Sequence, residues 1–137
     1  MRTRYQCMAI ALMCCSISVM AAAAAPPLAF NHRIFSAGDN GKLVVLDTKT
    51  GLATGSVAIV PKVDQIAFDA VGGLVYCAGT DKMSVVRTTG GKVVALGNVT
   101  TAATARNVTV DPATRWVWTT YTDGKSSFAK AWMPPDP

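Results

Sequence analysis

The chain has no glutamate, one histidine (His32) and, beyond residue 25, one cysteine, Cys77. Each shortage removes a kind of chemistry. His32 has no carboxylate or thiol cluster at ligand spacing, so no zinc-type site is expected. Nucleophilic catalysis needs a base within reach of a hydroxyl or thiol, and these residues supply none, so the chain reads as not an enzyme and no cofactor is expected. One cysteine cannot form an intramolecular disulfide. Cys77 lies in the apolar stretch Leu74-Val-Tyr-Cys-Ala78, which predicts a buried free thiol. Calcium needs several converging oxygens, and Gly38-Asp-Asn-Gly41 offers two. Gly90-Gly91 is not followed by a helical pattern and is no phosphate loop. The basic residues are scattered rather than striped among aromatics, so no nucleic-acid partner is indicated. With Val, Thr and Gly abundant and Glu absent, sheet is favoured over helix.

The N-terminus is a separate region. Arg2 and Arg4 precede an apolar run from Met8 to Met20, interrupted by Ser16, Ser18 and cysteines, and Ala21 to Ala25 offers a small-residue cleavage site. This pattern is that of a secretory signal peptide, residues 1–25, cut near Ala23 or Ala25. The alternative is a retained anchor, but the run falls short of the ~20 residues a span needs. Met13 before Cys14 departs from a lipobox, which makes a lipoprotein the lesser alternative. Export to the periplasm or medium follows as an expectation, with no membrane span left after cleavage. Without Arg2 and Arg4, eleven basic residues face eight aspartates, a net charge of about +3.

Residues 26–32, with Pro26 and Pro27, form a leader. From Arg33 the chain alternates strand and turn. The predicted strands are Arg33–Ala37, Lys42–Asp47, Leu52–Ile59, Asp64–Asp69, Leu74–Ala78, Met83–Arg87, Lys92–Val99, Arg106–Asp111, Trp116–Tyr121 and Ser127–Trp132. Asn40-Gly41 and Gly51 suit positive-φ turn positions. The third strand is weak, broken by Gly55, and is assigned an outer position. Pro134, Pro135 and Pro137 mark residues 133–137 as a Pro-rich tail.

About ten strands with turns every eight to twelve residues indicate an all-β sandwich, barrel or propeller. A repeat decides between them. Asp64-Gln-Ile-Ala-Phe-Asp-Ala-Val-Gly-Gly-Leu-Val-Tyr76 returns 42 residues later as Arg106-Asn-Val-Thr-Val-Asp-Pro-Ala-Thr-Arg-Trp-Val-Trp118, and Arg33-Ile-Phe35 is a partial third copy. A period near 40 with four strands per unit is the signature of propeller blades. The fold class expected is all-β, with antiparallel four-stranded blades. The first unit lacks its inner strand, the second is complete, and the third lacks its outer strand. That is about two and a half blades, against the four or more that closure takes.

Leu43-Val-Val-Leu-Asp-Thr-Lys-Thr-Gly51, then Asp64-Gln-Ile-Ala-Phe-Asp69, then Leu74-Val-Tyr76 resembles the YVTN-type β-propeller repeat. The likeness spans Arg33 to Trp132. It departs from the pattern at Arg87-Thr-Thr-Gly90, where the Asp is lost. The resemblance implies an exported binding scaffold; some relatives carry enzymes or redox cofactors, which the repeat itself does not encode.

Strand alternation predicts one rim formed by the turns at Asp39-Asn40, Asp81-Lys82 and Asp123-Lys125 together with the loops Lys62–Asp64 and Thr104–Arg106. Candidate ligand or partner contacts there are Asp39, Asn40, Asp64, Asp81, Arg106, Asp123 and Lys125. Asp64 and Arg106 are repeat equivalents of opposite charge, which read as a ligand pair or as an exposed ion pair worth under ~1 kcal/mol. Trp132 is expected to be exposed near the unpaired end, in a patch contacting whatever supplies the missing strands. Trp118, matching Tyr76 and Phe35, is assigned to the core, and Trp116 to the other face of its strand. The sequons at Asn98 and Asn107 are read as Thr-rich strand composition.

Two functions compete. One is a non-enzymatic scaffold, either a truncated remnant or completed by self-association or a partner protein. The other is a subunit of a propeller-based enzyme or redox system whose remaining blades come from another chain.

Overall fold

The computed structural model describes residues 32–89 and 91–134. The predicted signal peptide, the leader before His32, Gly90 and the last three residues of the tail lie outside the described part. Every regular element in it is a strand: β1 (Arg33–Gly38), β2 (Lys42–Asp47), β3 (Ala53–Ala58), β4 (Gln65–Asp69), β5 (Leu74–Ala78), β6 (Lys82–Thr89), β7 (Lys92–Thr100), β8 (Asn107–Val110), β9 (Val117–Thr122) and β10 (Ser127–Trp132). They form three antiparallel sheets, ordered β1-β2-β3, β4-β5-β6-β7 and β8-β9-β10. These are blades 1, 2 and 3. Blade 2 has all four strands. Among the described residues, blade 1 has no inner strand and blade 3 no outer one. No helix among the described residues is long and apolar enough to cross a membrane.

Aspartates make the turns. Asp47 Oδ1 accepts from the backbone N–H groups of Lys49 and Thr50. Asp69 Oδ1 accepts from Val71 and Gly72, and Asp123 Oδ1 from Lys125 and Ser126. A short carboxylate that caps its own turn is the physical reason Asp recurs at strand ends. The left-handed residue that follows the β4–β5 turn is Gly73, at φ 60°. Its repeat equivalents are His32 at φ 61° and Arg115 at φ 64°, side chains in a conformation that favours glycine.

The break foreseen at Gly55 is a β-bulge. Val45 pairs with Gly55 and Leu46 with Ala53, which leaves Thr54 as the extra residue. The bulge repeats in blade 2, where Val85 pairs with Gly97 and Val86 with Ala95 around the extra Leu96. Bulges increase local twist, and here they fall on the outermost strands of blades 1 and 2.

Each blade has a forward face, toward its successor, and a rear face. Phe35, Leu43 and Val45 on the forward face of blade 1 pack with Val75, Cys77 and Val86 on the rear of blade 2. Phe35 and Phe68 rings lie 5.2 Å apart across this interface. Leu74, Tyr76, Met83 and Val85 on the forward face of blade 2 pack with Val108 and Val117 of blade 3. Blade 2 is covered on both sides, and every residue of β5 is buried. This explains why Leu74–Ala78 reads as a continuous apolar run, each large side chain stabilising by about 1.5–3 kcal/mol. Cys77 is buried and free, as expected; burial pushes its thiol pKa up to about 12.

The tryptophan assignments need correction. Trp118 is the repeat equivalent of Tyr76 and faces forward as Tyr76 does, but no described residue covers it, so it is exposed rather than core. Trp116 lies two residues away on the same strand path and therefore shares that face, since alternation has period two; the rings are 6.5 Å apart. Trp132 sits on the rear face of blade 3, half-buried against the blade 2 interface. Its Nε1 donates to Thr119 Oγ1 at 3.1 Å, and the Lys130 ammonium lies 4.1 Å from its ring. It belongs to no open end patch.

Candidate functional site

The turns and the loops between blades meet at one rim. Lys62 N–H donates to the Asp39 carbonyl at 3.2 Å, and Thr101 N–H to the Asp81 carbonyl at 2.9 Å. Each loop leading into an inner strand is thus fastened to the preceding blade's turn. Thr104 Oγ1 donates to the Thr122 carbonyl at 2.8 Å, next to Asp123.

The predicted rim residues divide between these places. Arg106 Nη1 stands 3.8 Å from Asp64 Oδ2, with both side chains more than half exposed. Water screens such a pair, which is worth at most ~1 kcal/mol. Asp81 lines a trough of about 510 Å³ with Lys62, Lys82, Thr80, Asn98 and the Ile59–Pro61 segment. Its charged lining is two ammonium groups and one carboxylate. Asp123 spends an oxygen on its own turn, and the backbone N–H of Ser126, then that of Lys125, holds its pKa below the usual carboxylate range. Asp39 and Asn40 stand exposed at the tip of the β1–β2 turn. Trp132 lies away from the rim. No group of three or more His, Cys, Asp or Glu among the described residues could hold a metal.

The opposite rim carries an ion pair that sequence reasoning missed. Arg115, in the β8–β9 turn, places Nε and Nη2 each 2.9 Å from Oδ2 of Asp69 at the end of β4. Asp69 is 2% exposed and the Arg115 side chain 21%. Gly72 makes room: a Cβ there would overlap the guanidinium and lie 2.5 Å from Asp69 Oδ2. Beside the pair, the Tyr76 hydroxyl is buried with no partner among the described residues. Burial, then the Asp69 charge, pushes its pKa up to about 12. The signal for this pair was in the repeat: an arginine stands where the preceding copy has Gly73.

Nearer the axis, Gln65 Oε1 accepts from Val108 N–H at 2.9 Å, so a side chain of β4 satisfies the inner edge of β8. Blades 2 and 3 are therefore held at both rims, along the axis and through an apolar centre.

No protein-family model and no curated protein matches the chain. Solved structures do resemble it. A Kuenenia stuttgartiensis hydrazine synthase matches with TM-score 0.58 and 17% identity over 67% of this chain and 26% of its own. A dihydro-heme d1 dehydrogenase, NirN, in complex with DHE, matches with TM-score 0.54 and 22% identity over 65% of this chain and 19% of its own. This chain spans about a quarter of the first protein and a fifth of the second. At these identities the likeness concerns the fold, which is that of propeller blades.

Proposed function

We propose that the chain is an exported, non-enzymatic propeller module of the YVTN type that acts as a binding scaffold, with another polypeptide covering the rear face of blade 1. One observation supports this most. Ile34, 47% exposed, pairs in register with Leu46, and the two occupy the positions held in blade 2 by Val75 and Val86, which are buried against blade 1. An aliphatic rear face of the type that is covered elsewhere in the molecule favours contact with a further sheet. Light scattering on the exported protein tests this. An assembly heavier than one chain is expected, dispersed by Ile34→Asp combined with Leu46→Asp. A stable monomer with cooperative melting would sink it.

A second reading, that the chain belongs to a propeller-based enzyme or redox system, draws support from the names of the two similar structures. The remaining blades and the reacting groups would then come from a companion chain. Co-purification of a partner carrying a coloured cofactor would favour this reading over the first.

A further inference from the structure

The equivalences that bind blade 2 to its successor fail on the forward face of blade 3. Gly72 leaves open the space through which Arg115 reaches Asp69. Its equivalent 42 residues on is Thr114, whose side chain takes that position, and whose hydroxyl donates to Asp111 Oδ2 at 2.6 Å. The oxygen equivalent to the one that receives the next blade's arginine is thus satisfied within blade 3. The surrounding face has changed in the same direction. Met83 and Val85 are replaced by Ala129 and Ala131, and Ala67 and Ala78 by Thr109 and Thr120. The largest gains in size are Leu74 to Trp116 and Tyr76 to Trp118, while Thr109 and Thr120 add a methyl and a hydroxyl to the alanines they replace.

The result is two indoles standing over a floor of methyl, hydroxyl and amide groups, lowered at Ala129 and Ala131. Trp116 and Trp118 are 41% and 40% exposed, with rings tilted 33° to one another. Beside Trp118 runs a shallow trough of about 310 Å³ lined by Gln65, Asn107, Val108, Thr109 and Thr120. The strand residues of this face are uncharged. Lys130 belongs to the opposite face, with Thr119 in register and its ammonium over Trp132.

We propose that this face is a binding platform for a neutral saccharide. The C–H faces of pyranose rings stack on indoles, and their hydroxyls match the donor and acceptor groups of Asn107, Thr109 and Thr120. A single-stranded nucleic acid would need cations along its phosphates, which the face lacks. Another blade would meet Ala129, Ala131, Thr109 and Thr120 where blade 2 offers Met83, Val85, Ala67 and Ala78, a floor with less apolar bulk and two added hydroxyls. The proposal goes beyond the scaffold reading and does not depend on it, since that reading concerns the rear of blade 1.

Titration of the full chain with cellohexaose, maltohexaose, xylohexaose and chitohexaose, followed by tryptophan fluorescence and calorimetry, tests the proposal. Saturable binding to at least one is expected. Trp118→Ala should weaken it about tenfold or more, the loss expected of one stacked ring. Trp118→Phe should retain most of the affinity, and Trp132→Phe should leave it unchanged. Trp118 is 40% exposed, so the unfolding midpoint of each variant is measured alongside, and loss of binding in a variant still folded at the assay temperature is separated from loss of fold. Absence of binding to all four glycans would overturn the proposal. So would unchanged affinity in both Trp116→Ala and Trp118→Ala, or shielding of the two indoles from acrylamide in the native Trp132→Phe protein.

Discussion

Blades 2 and 3 are joined by two Arg–Asp pairs, one at each rim, and the structure assigns them very different weights. In Arg115→Ala, Asp69 Oδ2 loses both of its 2.9 Å contacts while the carboxylate stays buried. Breaking a buried pair from one side costs about 3–5 kcal/mol. Arg115 retains some solvent access, so the lower end applies, about 3 kcal/mol. Arg115 also sits at φ 64°, where a side chain costs roughly 1–2 kcal/mol that glycine avoids. Arg115→Gly should therefore be about 1 kcal/mol less damaging than Arg115→Ala. Arg106→Ala removes an exposed contact at 3.8 Å and should cost under ~1 kcal/mol. Urea unfolding at one fixed protein concentration measures all three, with midpoints compared only where the m-value is unchanged. Equal losses in Arg115→Ala and Arg106→Ala would refute the reasoning about burial. Arg115→Gly proving no better than Arg115→Ala would refute the reasoning about backbone strain.

Gly72→Ala should also destabilise, because the new Cβ overlaps the Arg115 guanidinium and crowds Asp69 Oδ2; combining it with Arg115→Ala should be less than additive in a double-mutant cycle, since only the guanidinium overlap is removed. Tyr76→Phe should leave stability unchanged or raise it by up to ~1–2 kcal/mol, since the buried hydroxyl it removes has no partner among the described residues; a clear loss of melting temperature would contradict this. The raised pKa of Cys77 means that the folded state holds a proton which the unfolded chain releases above its ordinary thiol range. Stability is therefore fully present below about pH 8.5 and falls by about 1.4 kcal/mol per pH unit as the pH rises toward the folded value. Denaturant titrations between pH 8 and 10 should show this slope in the native protein and not in Cys77→Ala.

Much of the fold was legible because its signals are local and repeated. Lys42–Asp47, Leu74–Ala78 and Ser127–Trp132 form strands with the bounds their patterning predicts, since an aspartate or glycine turn borders each one. The two open blades follow from the 42-residue period. Side-chain placement was less legible. Trp118 does hold the position of Tyr76, but a residue's burial depends on what lies beyond its sheet, which no local pattern encodes. Trp116 was misassigned by overlooking that residues two apart share a face. At the candidate rim, sequence spacing brought Asp64 to Arg106 but could not show that water screens the pair. The Asp69–Arg115 pair escaped because its partners lie 46 residues apart and one of them occupies a turn position that composition assigns to glycine.

The most direct test of the scaffold account is the native mass of the protein as its host produces it, together with whatever it carries. The account predicts a chain shortened near Ala23 or Ala25, found in a complex with a second copy or a companion polypeptide, and released from it by charge placed at Ile34 and Leu46. A single unaccompanied chain, folded and stable at working concentration, would contradict it.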